Sequence, residues 1–184
     1  MYTVQQLTKC SSRPPSHQLA PPQRQARRRL NMALDLQGRV VSTCLLEMQR
    51  PYRFISPFGA RQFVAWVIAE DVALSREEMY QISLGLVEAG CRFAACSGIE
   101  CSIWDDAIDY AAMEIFPDTE HGEGPLVMTT WHDGQSMEEI ADLIANWTSF
   151  EDFVSEHFLV VSVGGDSDQG ALDSLNRALA GKSN

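Results

Sequence analysis

From residue 63 onward the chain alternates between short, solidly apolar runs and longer stretches with apolar residues at helical spacing. "FVAWVIA" (63–69) has no polar position, the pattern of a strand covered on both faces. It stops at Glu70-Asp71. Ser75 and Glu78 then form a capping box, in which the serine oxygen accepts a helix N–H and the glutamate reaches back to the serine amide. The helix opened there sets Met79, Ile82, Leu86 and Val87 on one face and ends at Gly90. The unit recurs. "CRFAAC" (91–96) predicts a second strand, Ser97-Gly98 a turn, and residues 102–115 a helix. Its buried stripe is Ile103, Trp104, Ala107, Ile108, Ala111 and Ile115, with Asp105, Asp106, Asp109 and Glu114 mostly outside it. Turn residues fill 116–125, and "LVMTTW" (126–131) is the third strand. A second capping box, Ser136 with Glu139, opens a helix with Met137, Ile140, Ala141, Ile144 and Trp147 inward. "HFLVVSV" (157–163) is the fourth strand, Gly164-Gly165 its exit, and 171–180 the last helix, with Leu172, Leu175 and Leu179.

Strands and helices alternating over short links imply a parallel sheet with right-handed crossovers. The expected class is α/β: a three-layer, doubly wound, mostly parallel sheet of four or five strands with helices on both faces. The fifth strand depends on whether "RVVSTCLLEM" (39–48) is extended or a helical turn. The architecture resembles flavodoxin-like or Rossmann-like domains, a superfold that hosts many unrelated functions. The boxes between residues 63 and 166, "WHDG" among them, also resemble a small bacterial family of unassigned function. That resemblance implies no catalytic residues.

Residues 1–34 carry six basic side chains, no acidic one and the pairs Pro14-Pro15 and Pro21-Pro22, which predicts a disordered basic tail. Its composition suits a transit peptide, or a leader that is not native if translation begins at Met32. A lead-in segment and loop, 35–62, precede a single α/β domain at 63–184. The loop's Arg39, Arg50, Arg53 and Arg61 either neutralise carboxylates of the domain or carry guanidinium groups to an anionic ligand.

Charge narrows the partners. The chain has a formal charge of −11, and residues 35–184 set eight basic against 25 acidic side chains, a balance of −17. Such a surface repels DNA, RNA and anionic lipid, and attracts a basic protein or divalent cations. No apolar run reaches the roughly 18 residues of a membrane helix, so no membrane contact is expected. The five cysteines form no Cys-x-x-Cys pair, which predicts reduced thiols in a cytoplasmic protein.

Ligands of such sheets bind beyond the carboxyl ends of the strands, where strand order reverses. With the four predicted strands in the order 2-1-3-4, Glu70, Asp71, His132 and Asp133 share that crevice and Asp166 lies one strand further on. Glu70, Asp71, Asp133 and Asp166 are candidate oxygen ligands for Mg²⁺ or Mn²⁺, with His132 and Asp133 the catalytic candidates. A bound metal would acidify a water for hydrolysis. Against this, Asp133-Gly134 is an ordinary turn dipeptide, and aspartates at strand-to-helix turns cap helices. A Cys96–His132 nucleophilic pair is disfavoured by that order, which leaves roughly 10 Å between their strands. Lysine occurs only at Lys9 and Lys182, so the folded region has none for a phosphate loop or a Schiff base. Neither G-x-G-x-x-G nor G-x-S-x-G is present. Two functions lead, with an oligomerisation or scaffold domain as a third. One is a non-catalytic, acidic interaction domain, an adaptor or immunity-type inhibitor of a basic protein. The other is a divalent-metal-dependent hydrolase or ligand-binding domain.

Overall fold

Alternation inside the apolar runs decides which layer each side chain joins. In β3 (Phe63–Ala69), Phe63, Ala65, Val67 and Ala69 enter one core, and Val64, Trp66 and Ile68 enter another on the opposite face. Helices α1 (Arg76–Glu88) and α2 (Cys101–Ile115) close the first core, α3 (Met137–Asn146) and α4 (Gln169–Leu179) the second. The computed structural model describes residues 27–34, 38–117, 124–146, 149–150, 153–165 and 168–181. Trp147 and Asp166 therefore lie outside the described residues.

The main sheet has six strands rather than four or five, in the order β1-β2-β8-β3-β4-β5. The remaining members are β1 (Arg27–Leu34), β2 (Val40–Met48), β4 (Cys91–Gly98), β5 (Met128–His132) and β8 (His157–Val163). A small hairpin, β6 (Ser149–Phe150) with β7 (Phe153–Val154), forms a separate two-stranded sheet and packs Phe153 into the second core. Five of the six strands run parallel, and β1 is antiparallel to β2.

Strand β1 lies within the segment whose composition predicts disorder. Composition misleads here because the strand is held by pairing rather than burial. Its register runs unbroken from Arg27↔Glu47 to Leu34↔Val40, while its side chains from Arg29 to Met32 are exposed. A backbone ladder needs no hydrophobic period of its own.

Strand order also departs from 2-1-3-4. Strands β3, β4 and β5 are laid down side by side through α1 and α2 on one face. Only after β5 does the chain cross by α3 on the other face, and β8 lands beside β3. The first and third predicted strands therefore flank the second.

Both capping boxes form. Glu78 N donates to Ser75 Oγ (3.2 Å) and Ser75 N to Glu78 Oε2 (2.9 Å), and the Ser136–Glu139 pair repeats the arrangement at 3.3 and 2.9 Å. Residues 49–62 form a strap from β2 to β3 across the α1/α2 face, where Tyr52, Phe54 and Phe58 pack on the core. Phe54 and Phe58 lie 6.3 and 6.0 Å from the Phe63 ring, centroid to centroid. Among the described residues no helix is long and apolar enough to cross a membrane.

Candidate functional site

Register places a polar row across the carboxyl end of an otherwise apolar sheet. Glu47 pairs with Ser162, Ser162 with Ile68, Ile68 with Ser97, and Ser97 with His132. Residues in parallel register share a face, so Glu47, Ser162, Ser97 and His132 all look toward α3 and α4. In the sequence each polar member is an isolated interruption of a separate strand. Their one signal is a polar residue near the end of each apolar run, and strand order is needed to join them.

Beside this row is a cleft of about 300 Å³, bounded by Trp66, Ile68, Glu70, Ser97, Gly98, His132, Asp133, Gly134, Gln135, Met137 and Ile140. The cleft is open because the intervening strand β4 ends in small residues, Ser97 and Gly98. Glu70 and His132 therefore border one space although β3 and β5 are not neighbours. Gly98 has φ +84°, and a Cβ there would strike the Ala69 carbonyl, so the close approach requires glycine. The floor is fixed by Trp66 Nε1, which donates to Ser97 Oγ at 2.9 Å.

His132 is only 5 % exposed. Its Nδ1 lies 2.7 Å from Gln135 Oε1 and its Nε2 lies 3.0 Å from Thr130 Oγ1. With the Gln135 amide oxygen toward the ring, Nδ1 carries the proton and Nε2 accepts from the threonine hydroxyl. Both nitrogens are thereby committed, and the ring braces the turn from β5 to α3. Asp133 is exposed, and Gly134 at φ +71° makes the turn. Over the α3 N-terminus, bonds from the Ser136 amide and hydroxyl hold the Glu139 carboxyl below its ordinary range. That box fills the first amides and adds negative charge to a helix end that would otherwise suit an anion.

Consecutive residues at the end of β3 diverge. Glu70 lines the cleft, and a Cβ on Gly165 would meet both Glu70 Oε2 and Ser162 Oγ, so Glu70 reaches toward the exit of β8. Asp71 turns the other way. It accepts from Tyr52 Oη at 2.6 Å and Ala73 N at 2.8 Å, and pairs with Arg50 Nη2 at 3.1 Å. Arg50 also reaches Glu78 Oε2 at 3.2 Å and the Ala73 carbonyl at 2.6 Å. These bonds, first that of Tyr52, hold the Asp71 carboxyl below its ordinary range. Burial and the Asp71 bond raise the Tyr52 hydroxyl in turn. The group latches the strap to the end of β3, so Arg50 neutralises carboxylates of the domain.

The structure thus brings together Glu70, His132 and Asp133 and sends Asp71 elsewhere. Among the described residues no three His, Cys, Asp or Glu side chains converge to hold a metal ion. The wide gap expected between Cys96 and His132 is also corrected, since β4 and β5 are neighbours. What separates the two is the pleat. Cys96 pairs with Trp131 and lies in the α1/α2 core, where burial pushes its thiol well above the ordinary range, while His132 faces α3.

Residues 43–181 match the family described as a domain of unknown function (DUF7684), a span from β2 to the end of α4. No curated protein and no solved structure matches the chain.

Proposed function

The chain belongs to the DUF7684 family, and we propose that this domain is a binding module for a basic protein partner, with the cleft as the seat of one lysine or arginine side chain. The observation that carries this reading is the lining: two carboxylates, Glu70 and Asp133, and no lysine or arginine. Trp66, Ile68, Met137 and Ile140 supply an apolar wall of the kind that covers the aliphatic stem of a long basic side chain. His132, bonded at both nitrogens, is a brace in this scheme and not a proton carrier. The surplus of acidic side chains over residues 35–184 favours fast, salt-sensitive association with a positive partner. The buried cysteines Cys44, Cys91, Cys96 and Cys101, none in a disulfide, suit a reducing compartment such as the cytoplasm.

The test is calorimetric titration of the full chain with an arginine-rich decapeptide, at low and high salt, beside Asp133→Asn. One partly exposed carboxylate–cation pair contributes up to about 1 kcal/mol, so the variant should bind roughly fivefold more weakly. Wild-type affinity should fall as salt rises. Affinity unmoved by both the substitution and salt sinks the proposal. Mg²⁺ and Mn²⁺ are the other cations those carboxylates would take. A saturable tryptophan response to either metal, lost in Asp133→Asn, would put a metal-dependent site in place of the basic side chain.

A further inference from the structure

The sheet stops at β5, which pairs with β4 on one side and, among the described residues, with nothing on the other. Its sequence, MTTWH, has no Lys, Arg, Asp, Glu or Pro, and its register with β4 runs without a bulge. Those are the usual devices that stop an edge strand from pairing with another chain. Its Trp131 is 55 % exposed.

The flank of this edge is acidic. Thr129 Oγ1 donates to Asp109 Oδ1 at 2.8 Å, so Thr129, and Trp131 two residues on, face α2. Helix α2 runs antiparallel to the strands it connects, and Asp105, one turn before Asp109, sits nearer the Trp131 end. Helix α2 has four acidic residues and no basic one, and its Glu114 is taken by Tyr80 of α1. Asp105 Oδ1 is buried and has no hydrogen-bond partner among the described residues. The other oxygen has the Thr129 hydroxyl within reach, and a partly buried carboxylate beside a second carboxylate and an exposed indole is stabilised by a cation set against it.

From the unpaired edge and its flank we infer that β5 is a docking groove for an extended basic segment of the partner. The segment adds as a further strand and sets a lysine or arginine against Trp131, beside Asp105 and Asp109. This rests on the reading of the partner as basic, and it supplies the main-chain bonds that the cleft alone does not offer. A second copy meeting β5 edge to edge would bring two acidic α2 flanks together, which charge opposes.

The probe is a synthetic decapeptide of alternating arginine and valine, compared with the same peptide N-methylated at every residue. The methylated peptide keeps the charge and loses every backbone donor. Calorimetry and amide exchange are read on the full chain, on Trp131→Ala and on Asp133→Asn. The expected result is saturable binding that slows exchange in Met128–His132, falls at least tenfold on N-methylation and falls about fivefold in Trp131→Ala. If those effects persist while Asp133→Asn binds as the parent does, the docking edge stands and the cleft reading falls. Equal binding of the two peptides, or binding without protection of β5, overturns the edge and leaves the cleft reading to Asp133→Asn. Absence of saturable binding overturns both. Self-association that protects β5 without peptide also overturns the proposal, because the groove then belongs to a second copy.

Discussion

The two edges of the sheet are built in opposite ways. Strand β1 is antiparallel, eight residues long and begins with three arginines, of which Arg29 bonds Gln169 of α4 at 2.7 Å. Strand β5 is parallel, five residues long and uncharged in its Lys, Arg, Asp and Glu content, and its flank is the acidic side of α2. Basic residues are a common guard on an edge strand, whereas an edge without such a guard is open to pairing with another chain. Both strands end the same sheet, but β5 carries no Lys, Arg, Asp or Glu of its own and lies beside the acidic residues of α2.

The strongest way to break the contrast is to remove what holds α2 behind β5. Trp104 is 1 % exposed, on the inner face of α2. Trp104→Ala should destabilise the fold by about 3–5 kcal/mol, through lost transfer energy and the cavity left behind. Urea denaturation measures the loss, and amide exchange should show Met128–His132 deprotected more than β2. The matched change at the other edge, Met32→Ala, should stay within about 0.5 kcal/mol because Met32 is 72 % exposed. Equal losses at the two positions would mean the edges are not built as described.

A smaller effect comes from Thr129→Val, which keeps the shape and removes the donor to Asp109. About 1 kcal/mol of stability should go, together with tighter coupling between the two carboxylates. Nothing in "LVMTTW" announces this bond. The capping boxes were legible because a serine and a glutamate three residues apart meet through local helix geometry alone. So was β3, where a run with no polar position needs two covering layers. Asp105 and Asp109 looked like outward residues because helical spacing ranks a face only against its own core. Whether a strand edge comes up beside that face is a fact of the sheet. Glu70 and His132 were expected together for a strand order that does not occur, and they border one cleft for another reason, the small residues between them. Asp71 was expected with them too. Successive residues leaving a strand point to opposite faces, and the strap that captures Asp71 comes from the loop before β3.

The finest test uses protonation. Burial pushes the Asp105 carboxyl above its ordinary 3.8; the Thr129 hydroxyl pulls it down, and Asp109 and Asp106 push it up again. A carboxyl raised in the folded state destabilises that state when ionised, and the penalty lifts as pH falls through its folded value. Asp105→Asn should therefore raise the melting temperature near neutral pH, and the gain should fade as the parent protein is acidified through that value. At the latch the sign reverses. Asp71 and Glu78 are held below their ordinary 3.8 and 4.5, chiefly by Tyr52 and by Ser75 respectively. What they contribute is complete above those ordinary values and is lost as pH falls through the depressed ones. Acid should thus loosen the strap while it relieves the β5 flank, and exchange at Tyr52 and at Trp131 would follow the two separately. A melting temperature lowered by Asp105→Asn near neutral pH would show that this carboxylate is already satisfied within the chain. The flank of β5 would then have no call on a cation from outside.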